Sequence, residues 1–366
     1  MQLTFKLKLL ANDLDSSLLK KTMDYYNQIC NFVSVKAFET KTFKNFDIHK
    51  LCYYDIKEKF PLASSQFIIR AIKTVTDSYT DKTKRTSVHL FKSKTITYDS
   101  RILTFKLDAD GFSFVSIWTI EGKRRKIYLH LNKYQLSHLS KFRKETDLIF
   151  DKTSKAFYLN SPIQFEEPVK QISKNFLGVD LGVVNIAVTS DGEIFSNSKI
   201  EKRRKQLLKL KSNLQSRGTR SAKRKLKIIS KKESRYRKDV NHQISKNIVN
   251  SAKGTSRGIA LEKLKGIRGK TTVRKAERAK HSSWSFYQLQ QFIQYKSALS
   301  GVEVVFVNPK NTSRQCSTCG FIDKNNRKDQ SHFECLSCNF KDLADFNAAV
   351  NISKRASVNK PIVNCS

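Results

Sequence analysis

No apolar run in this sequence approaches the roughly 18 residues that a membrane-spanning helix requires. The first ten residues alternate as a strand, Leu3, Phe5, Leu7 and Leu9 against Lys6 and Lys8, and lack the small-residue cleavage site of a secretory leader. The expectation is therefore a cytoplasmic chain in a reducing compartment, with no membrane partner. Cysteine is sparse, seven in 366 residues, and four of the seven fall in paired knuckles, which suits metal binding better than disulfides there. Acids are also short: 32 Asp plus Glu face 70 Lys plus Arg, a net charge of +38. Such a charge repels itself unless a polyanion neutralises it, and nucleic acid is the obvious polyanion. A ribosomal-type packing protein is the plainer alternative. What the chain does hold is hydrophobic residues at 39%, 24 of them Phe in the whole chain. That supports real cores in two or three domains and excludes a disordered basic tail.

The pattern changes along the chain. After the first strand, residues 15 to about 80 read as helices, with Leu18, Met23, Tyr26, Ile29, Val33 and Phe38 at three-to-four spacing. Pro61 breaks the run, and Phe67, Ile68, Ala71, Ile72 and Val75 begin a further helix. From Ile96 to Phe165 short strands alternate with turns such as Asp110-Gly111 and Glu121-Gly122. A small β unit is thus interrupted near its start by helices. From Phe176 a new pattern begins: an apolar strand ending on Asp180, then a hairpin around Ser190-Asp191-Gly192. Residues 199–238 hold 18 Lys or Arg against two Glu, with apolar stripes Leu207-Leu210-Leu214 and Ala222-Leu226-Ile229-Tyr236-Val240-Ile244-Ile248. These predict two basic helices in a hairpin. A strand ending on Glu262 follows, then a basic loop with Gly266 and Gly269. Next comes a helix whose apolar face would hold Trp284, Tyr287, Leu289, Phe292 and Tyr295, then a strand over Val302–Val307, and a last helix from about Asp342.

Two constellations carry chemistry. Cys316, Cys319, Cys335 and Cys338 form two Cys-x-x-Cys pairs separated by 15 residues, a spacing that surrounds Zn²⁺ tetrahedrally with thiolates, with an iron–sulfur site as the alternative. A closed four-thiolate site leaves no place for water, so the expected ion is structural, shaping the loop that leads to Asp345. Cys30, Cys52 and Cys365 read as ordinary thiols. The second constellation is Asp180, Glu262 and Asp345, 82 and 83 residues apart. Two of these acids end strongly apolar strands, and a buried charge needs a partner. Carboxylates are hard ligands for Mg²⁺ or Mn²⁺, and two such ions roughly 4 Å apart serve phosphodiester hydrolysis. Singly, each acid could be solvent-facing or a helix cap, and Asp342 suits the capping role better than Asp345. Tyr53-Tyr54 and Tyr79 could stack on bases, though core packing is the commoner use of such residues.

These residues resemble the TnpB family, the OrfB proteins of insertion sequences, which are related to the type V CRISPR effectors. The match runs through Gly178-Val179-Asp180-Leu181-Gly182, Ile259–Leu264, Trp284-Ser285-Phe286, Asn308–Gly320 and Ala344–Ala349. Asn339, where a Gly usually follows the last cysteine, and Lys263 depart from the pattern, and neither removes a ligand. The resemblance implies an α/β fold plus a β-barrel: an RNase H-like RuvC nuclease domain with an inserted zinc ribbon, preceded by an N-terminal β unit (wedge) with a helical recognition insertion. The expected boundaries are 1–14 and 93–170 for the two parts of the wedge and 15–92 for the helical insertion. The nuclease core would span 171–307, with the basic hairpin at 199–250, then the zinc ribbon at 308–340 and the last helix and tail at 341–366. It further implies Asp180, Glu262 and Asp345 as ligands of two Mg²⁺ (or Mn²⁺) ions, and one zinc on the four cysteines. The partners would be a guide RNA from the transposon end and a double-stranded DNA target beside a short motif, with one chain or two per RNA. A guide-dependent DNA-binding regulator that does not cut, and a guide-free structure-selective nuclease, are the competing functions. A strand-transfer role is the weakest.

Overall fold

The computed structural model describes residues 1–92, 95–142, 145–169, 172–230, 232–263, 286–329 and 331–358. Gly266, Gly269, Trp284 and Cys365 lie outside the described residues. The chain divides into two compact units, Met1–Phe165 and Glu166–Ser366. No helix among the described residues is long and apolar enough to cross a membrane.

The first unit opens with β1 (Gln2–Leu9) and three helices, α1 (Asp13–Glu39), α2 (Asn45–Lys59) and α3 (Ser65–Ser78). It continues with β2 (Thr95–Tyr98), β3 (Leu103–Leu107), β4 (Ser113–Trp118), β5 (Arg124–His130), α4 (Lys133–Leu136), β6 (Thr146–Asp151) and β7 (Ala156–Gln164). The seven strands run in the order β2-β6-β7-β1-β5-β4-β3. The two outermost strands, β2 and β3, are joined by residues 99–102 alone, with Leu103 N bonded to Asp99 O at 2.9 Å. A sheet whose edges are tied by so short a link must curl on itself, as a barrel does. The alternation of β1 buries Leu7 and Leu9 while Lys6 and Lys8 stay exposed. Helix α1 is capped by Asn12, whose side chain accepts from Asp15 N at 2.7 Å, and α3 by Ser64. Their apolar faces, including Tyr26, Ile29, Val33, Phe67 and Ile72, join one core with the strands. Tyr79 is fully buried, its hydroxyl 2.9 Å from Ser34 Oγ, whereas Tyr54 is 78% exposed.

The second unit is built on β8 (Phe176–Asp180), β9 (Asn185–Thr189), β10 (Ile194–Ser196), β11 (Gly258–Glu262) and β12 (Val304–Val307), in the order β10-β9-β8-β11-β12. The first three pair antiparallel, while β11 runs parallel to both β8 and β12. This is the RNase H-like arrangement. Helices α5 (Ser198–Arg217), α6 (Arg220–Ile229), α7 (Lys232–Gly254), α8 (Phe286–Ser300) and α9 (Ala344–Val358) complete it, with a small hairpin of β13 (His332–Glu334) and β14 (Lys341–Leu343). Strands β8 and β11 are buried on both faces, which explains their unbroken apolar sequences. Alternate residues serve alternate cores. Leu177, Val179, Ile259 and Leu261 pack with Ile244, Ile248, Leu289 and Ile293 of α7 and α8. Phe176 and Ala260 pack with Ile352 and Ala356 of α9. Gly178 faces α9 too, and only hydrogen fits there: a Cβ would meet Ala349 O and come within 2.6 Å of Ser353 N. Ser353 Oγ donates to Phe176 O at 2.6 Å, seating the helix on the strand.

Three sequence expectations are corrected. The basic region forms three helices, because its second stripe serves two cores: Ala222 and Ile229 pack on Leu214 of α5, whereas Ile244 and Ile248 pack on the sheet. In α8 the inward face is Phe286, Leu289 and Ile293, and Tyr287 is 62% exposed. Asp342 does not cap the last helix, since it lies in β14, opposite Phe333, and the helix begins at Ala344.

Candidate functional site

Period-two alternation decides where the acids point. Asp180 shares parity with Phe176 and Gly178, and Glu262 with Ala260, so both carboxylates face the side of the sheet on which α9 lies. The register Leu261↔Val179 puts Glu262 and Asp180 at the carboxyl ends of neighbouring parallel strands. Asp345 sits in the first turn of α9, where a negative charge is favoured by the helix dipole. The structure thus brings the three acids into one electrostatic neighbourhood. Desolvation, then the charges of Glu262 and Asp345, raise the Asp180 carboxyl from 3.8 to about 8, with Arg327 and the Leu181 backbone pulling the other way. Glu262 is also raised, by desolvation, against the Thr312 hydroxyl and Arg355.

Each acid other than Asp180 has a fixed neighbour. The Thr312 hydroxyl donates to Glu262 Oε1. Asn185 Nδ2 donates to Asp345 Oδ2 at 2.9 Å, and Arg327 Nη2 lies 3.5 Å from Asp345 Oδ1. The sequence reading missed all three partners. Asn185 and Thr312 lie in or beside the matching segments, but residue type alone does not reveal whom a hydroxyl or an amide will meet. Two guanidinium groups, Arg327 beside Asp345 and Arg355 acting on Glu262, against three acids leave the pocket short of positive charge, a donor set suited to a hard cation. The acids are spaced more widely than the cysteines: among the described residues, the four cysteines form the group whose ligand atoms all lie within 4.8 Å of one another.

That cysteine cluster is built from two matching turns. Cys316 N donates to Phe321 O and Cys335 N to Phe340 O, both at 2.9 Å; Gly320 N reaches back to Cys316 O and Asn339 N to Cys335 O, both at 3.0 Å. Gly320 and Asn339 occupy equivalent left-handed positions, at φ +80° and +55°. The departure at Asn339 is therefore conservative, because asparagine tolerates that conformation better than other side-chain-bearing residues. The Sγ–Sγ separations Cys316–Cys338, 3.7 Å, and Cys319–Cys335, 3.5 Å, are close to the edge of about 3.8 Å that a tetrahedron with Zn–S near 2.3 Å requires. At Cys335 desolvation opposes ionisation, but the Cys338 and Ser337 backbone N–H groups outweigh it and bring the thiol down to about 7. At Cys338 the Phe340 backbone N–H favours the thiolate, yet desolvation and the three neighbouring sulfurs carry it up to about 12. Such crowded sulfurs fit a bound cation such as zinc. Cys30 and Cys52 are buried, and burial raises both thiols, as ordinary core cysteines.

On α5, α6 and α7 the two glutamates of residues 199–238 hold Arg204, Lys211 and Arg237. With 18 cations in that stretch, the surface stays strongly positive and suits a phosphate backbone.

Residues 160–265 match the OrfB_IS605 family, described as a probable transposase, and residues 286–352 match the Cas12f1-like TNB domain. The CRISPR-associated endodeoxyribonuclease Cas12f2 of a Micrarchaeota archaeon is 34% identical over 229 residues, spanning 57% of this chain and 41% of that protein. A TnpB-like protein of Methanocaldococcus jannaschii is 34% identical over 138 residues, 36% of this chain and 49% of its own. The chain thus spans about half the length of the curated relatives it matches. Among solved structures, the cryo-EM structure of a Cas12f1-sgRNA-target DNA complex aligns with a TM-score of 0.60 at 20% identity, over 93% of this chain and 82% of that one. It shares the fold.

Proposed function

We propose, from the premise that this chain belongs to the TnpB family, that it is an RNA-guided DNA endonuclease whose site is Asp180, Glu262 and Asp345. The observation that carries the reading is the placement of two acids on adjacent parallel strand ends, facing the helix that bears the third. Asp180, Glu262 and Asp345 would hold two Mg²⁺ or Mn²⁺ ions, which when bound activate the attacking water and stabilise the leaving oxygen of a phosphodiester. The chain's own residues prepare that site. Thr312 and Asn185 orient two of the carboxylates. Arg327 offsets the charge of Asp345 and is a cation within reach of an incoming phosphate. The cationic α5–α7 region would grip nucleic-acid backbone, leaving sequence choice to base pairing with the guide. The N-terminal unit would serve as wedge and recognition lobe. Cys316, Cys319, Cys335 and Cys338 would hold one structural zinc.

The test is to express the protein with its flanking DNA, sequence the RNA that co-purifies, and offer the complex a matching target with Mg²⁺. Cutting that requires both the RNA and the divalent ion supports the proposal. A DNA shift without nicking would favour a binding regulator, and cutting that survives RNase treatment would favour a guide-free nuclease.

A pH dependence follows from Asp180. Its folded carboxyl titrates near 8 against an ordinary 3.8, so between those values the native state holds more protons than the unfolded one. Stability of the metal-free protein should therefore fall as pH rises through that window and level off above it. A divalent ion needs the ionised form, so the increase in unfolding temperature on adding Mg²⁺ should be larger at pH 8 than at pH 6. Thermal unfolding at both values, with and without the ion, checks this. An equal gain at both would remove the carboxylate as its ligand.

A further inference from the structure

Thr312 is only 2% exposed and joins three elements. Its hydroxyl donates to Glu262 Oε1 at the end of β11 and lies 3.0 Å from Pro309 O. A hydroxyl has one proton to give, and the carboxylate is the stronger acceptor. Its carbonyl accepts from Asn351 Nδ2 of α9 at 2.9 Å. The same amide reaches Gln315 O at 2.7 Å, Asn347 Nδ2 reaches Gln315 O at 2.8 Å, and Asn347 Oδ1 accepts from Ser317 N at 2.8 Å. The chain from β12 to the first cysteine knuckle is thereby pinned to the helix that carries Asp345. Glu262 is held through Thr312 to that same helix.

We propose that Thr312 is a positioning residue for the acidic pocket: its hydroxyl sets the orientation of Glu262, and its link to Asn351 sets that carboxylate's place relative to Asp345. This rests on the pocket holding divalent cations, as argued above. Without the hydroxyl, Glu262 loses the neighbour that fixes its rotamer, while the fold keeps the Asn351 contact to the backbone carbonyl. Removing an outer partner of a metal-binding side chain weakens metal binding by roughly 10–100-fold.

The experiment compares the wild-type guide-RNA complex with Thr312→Val, which keeps shape without the hydroxyl, and Thr312→Ser, which restores it. Mn²⁺ affinity is read by electron paramagnetic resonance as the binding in excess of that of the Asp180→Asn complex, which subtracts the ions held by the RNA, alongside zinc content and RNA retention. The expected result is a 10–100-fold weaker Mn²⁺ affinity for Thr312→Val, with zinc and RNA unchanged. Thr312→Ser should lie within a few-fold of wild type, and Thr312→Val should recover cleavage as Mn²⁺ is raised. Wild-type affinity in Thr312→Val would overturn the proposal. So would an equal defect in Thr312→Ser, which would mark a packing role for the methyl group. If the wild-type complex binds no more Mn²⁺ than the Asp180→Asn complex, the nuclease reading falls, and the role of Thr312 with it.

Discussion

Asp180→Asn in the RNA complex should cut DNA at least roughly a thousandfold more slowly than the wild type, while retaining its RNA and becoming more stable without metal at pH 8. The substitution keeps volume and removes one charge from a pocket where three acids outnumber the guanidinium groups of Arg327 and Arg355. The cost to cleavage follows from the chemistry. Bound metal supplies several kcal/mol of transition-state stabilisation, and each 1.36 kcal/mol is tenfold in rate. The gain in stability has the opposite origin. Each unit of pKa difference between folded and unfolded states is about 1.4 kcal/mol, and Asp180 is raised from 3.8 to about 8. An amide removes both the buried charge and its repulsion from Glu262 and Asp345, so the pH-dependent loss of stability should flatten. RNA retention should hold, because the backbone grip is assigned to cations elsewhere on α5–α7. Target cleavage, RNA recovered per chain and thermal unfolding at pH 8 measure the three effects. A variant that still cuts at near wild-type rate would end the assignment. One that loses both cleavage and stability would show that Asp180 acts as a structural residue instead.

Cys335→Ser should also lower cleavage, by a different route and by a smaller factor. Cys335 is fully buried, and among the described residues its cluster holds Cys316, Phe333 and Ala344, with Phe340 against it. So small a core does not hold a ribbon together, whereas zinc binding in comparable peptides contributes about 10–16 kcal/mol. Zinc should fall from about one per chain to near zero, and residues 308–340 should become sensitive to protease. Cleavage should drop by roughly 10–100-fold, because Thr312, whose hydroxyl donates to Glu262, lies within that ribbon, and loss of such a partner weakens metal binding by that much. Elemental analysis, limited proteolysis and a cleavage assay together test this. Zinc-free protein with an intact ribbon and full activity would overturn it.

The likeness to known nucleases and the acids themselves were legible because each is a local signal. The short apolar runs of β8 and β11 read as strands buried on both faces, and each ends on an acid. The period-two rule puts Asp180 on the same side as Gly178, but only the register Ala260↔Gly178 adds Glu262 to that side. The helical faces were harder to read. Tyr287 fits a helical stripe on paper, yet the inward side of α8 is chosen by α7 and the sheet. The stripe from Ala222 to Ile248 looked continuous because spacing does not record that its two parts pack against different neighbours. Asp342 had the right chemistry for a cap, but pairing with β13 claimed its backbone first.

Residue type and spacing alone determined the cationic surface, the paired cysteine turns and the acids at strand ends, because charge, thiol spacing and alternation are properties of neighbouring positions. Tertiary structure decided that Glu262 meets Thr312, that Asp345 meets Asn185 and Arg327, and that Asn351 ties the Thr312 segment to the helix bearing Asp345. Those partners are separated by 18 to 160 residues, and only the folding of the sheet, α9 and the cysteine module onto one another brings such distant groups within hydrogen-bonding reach.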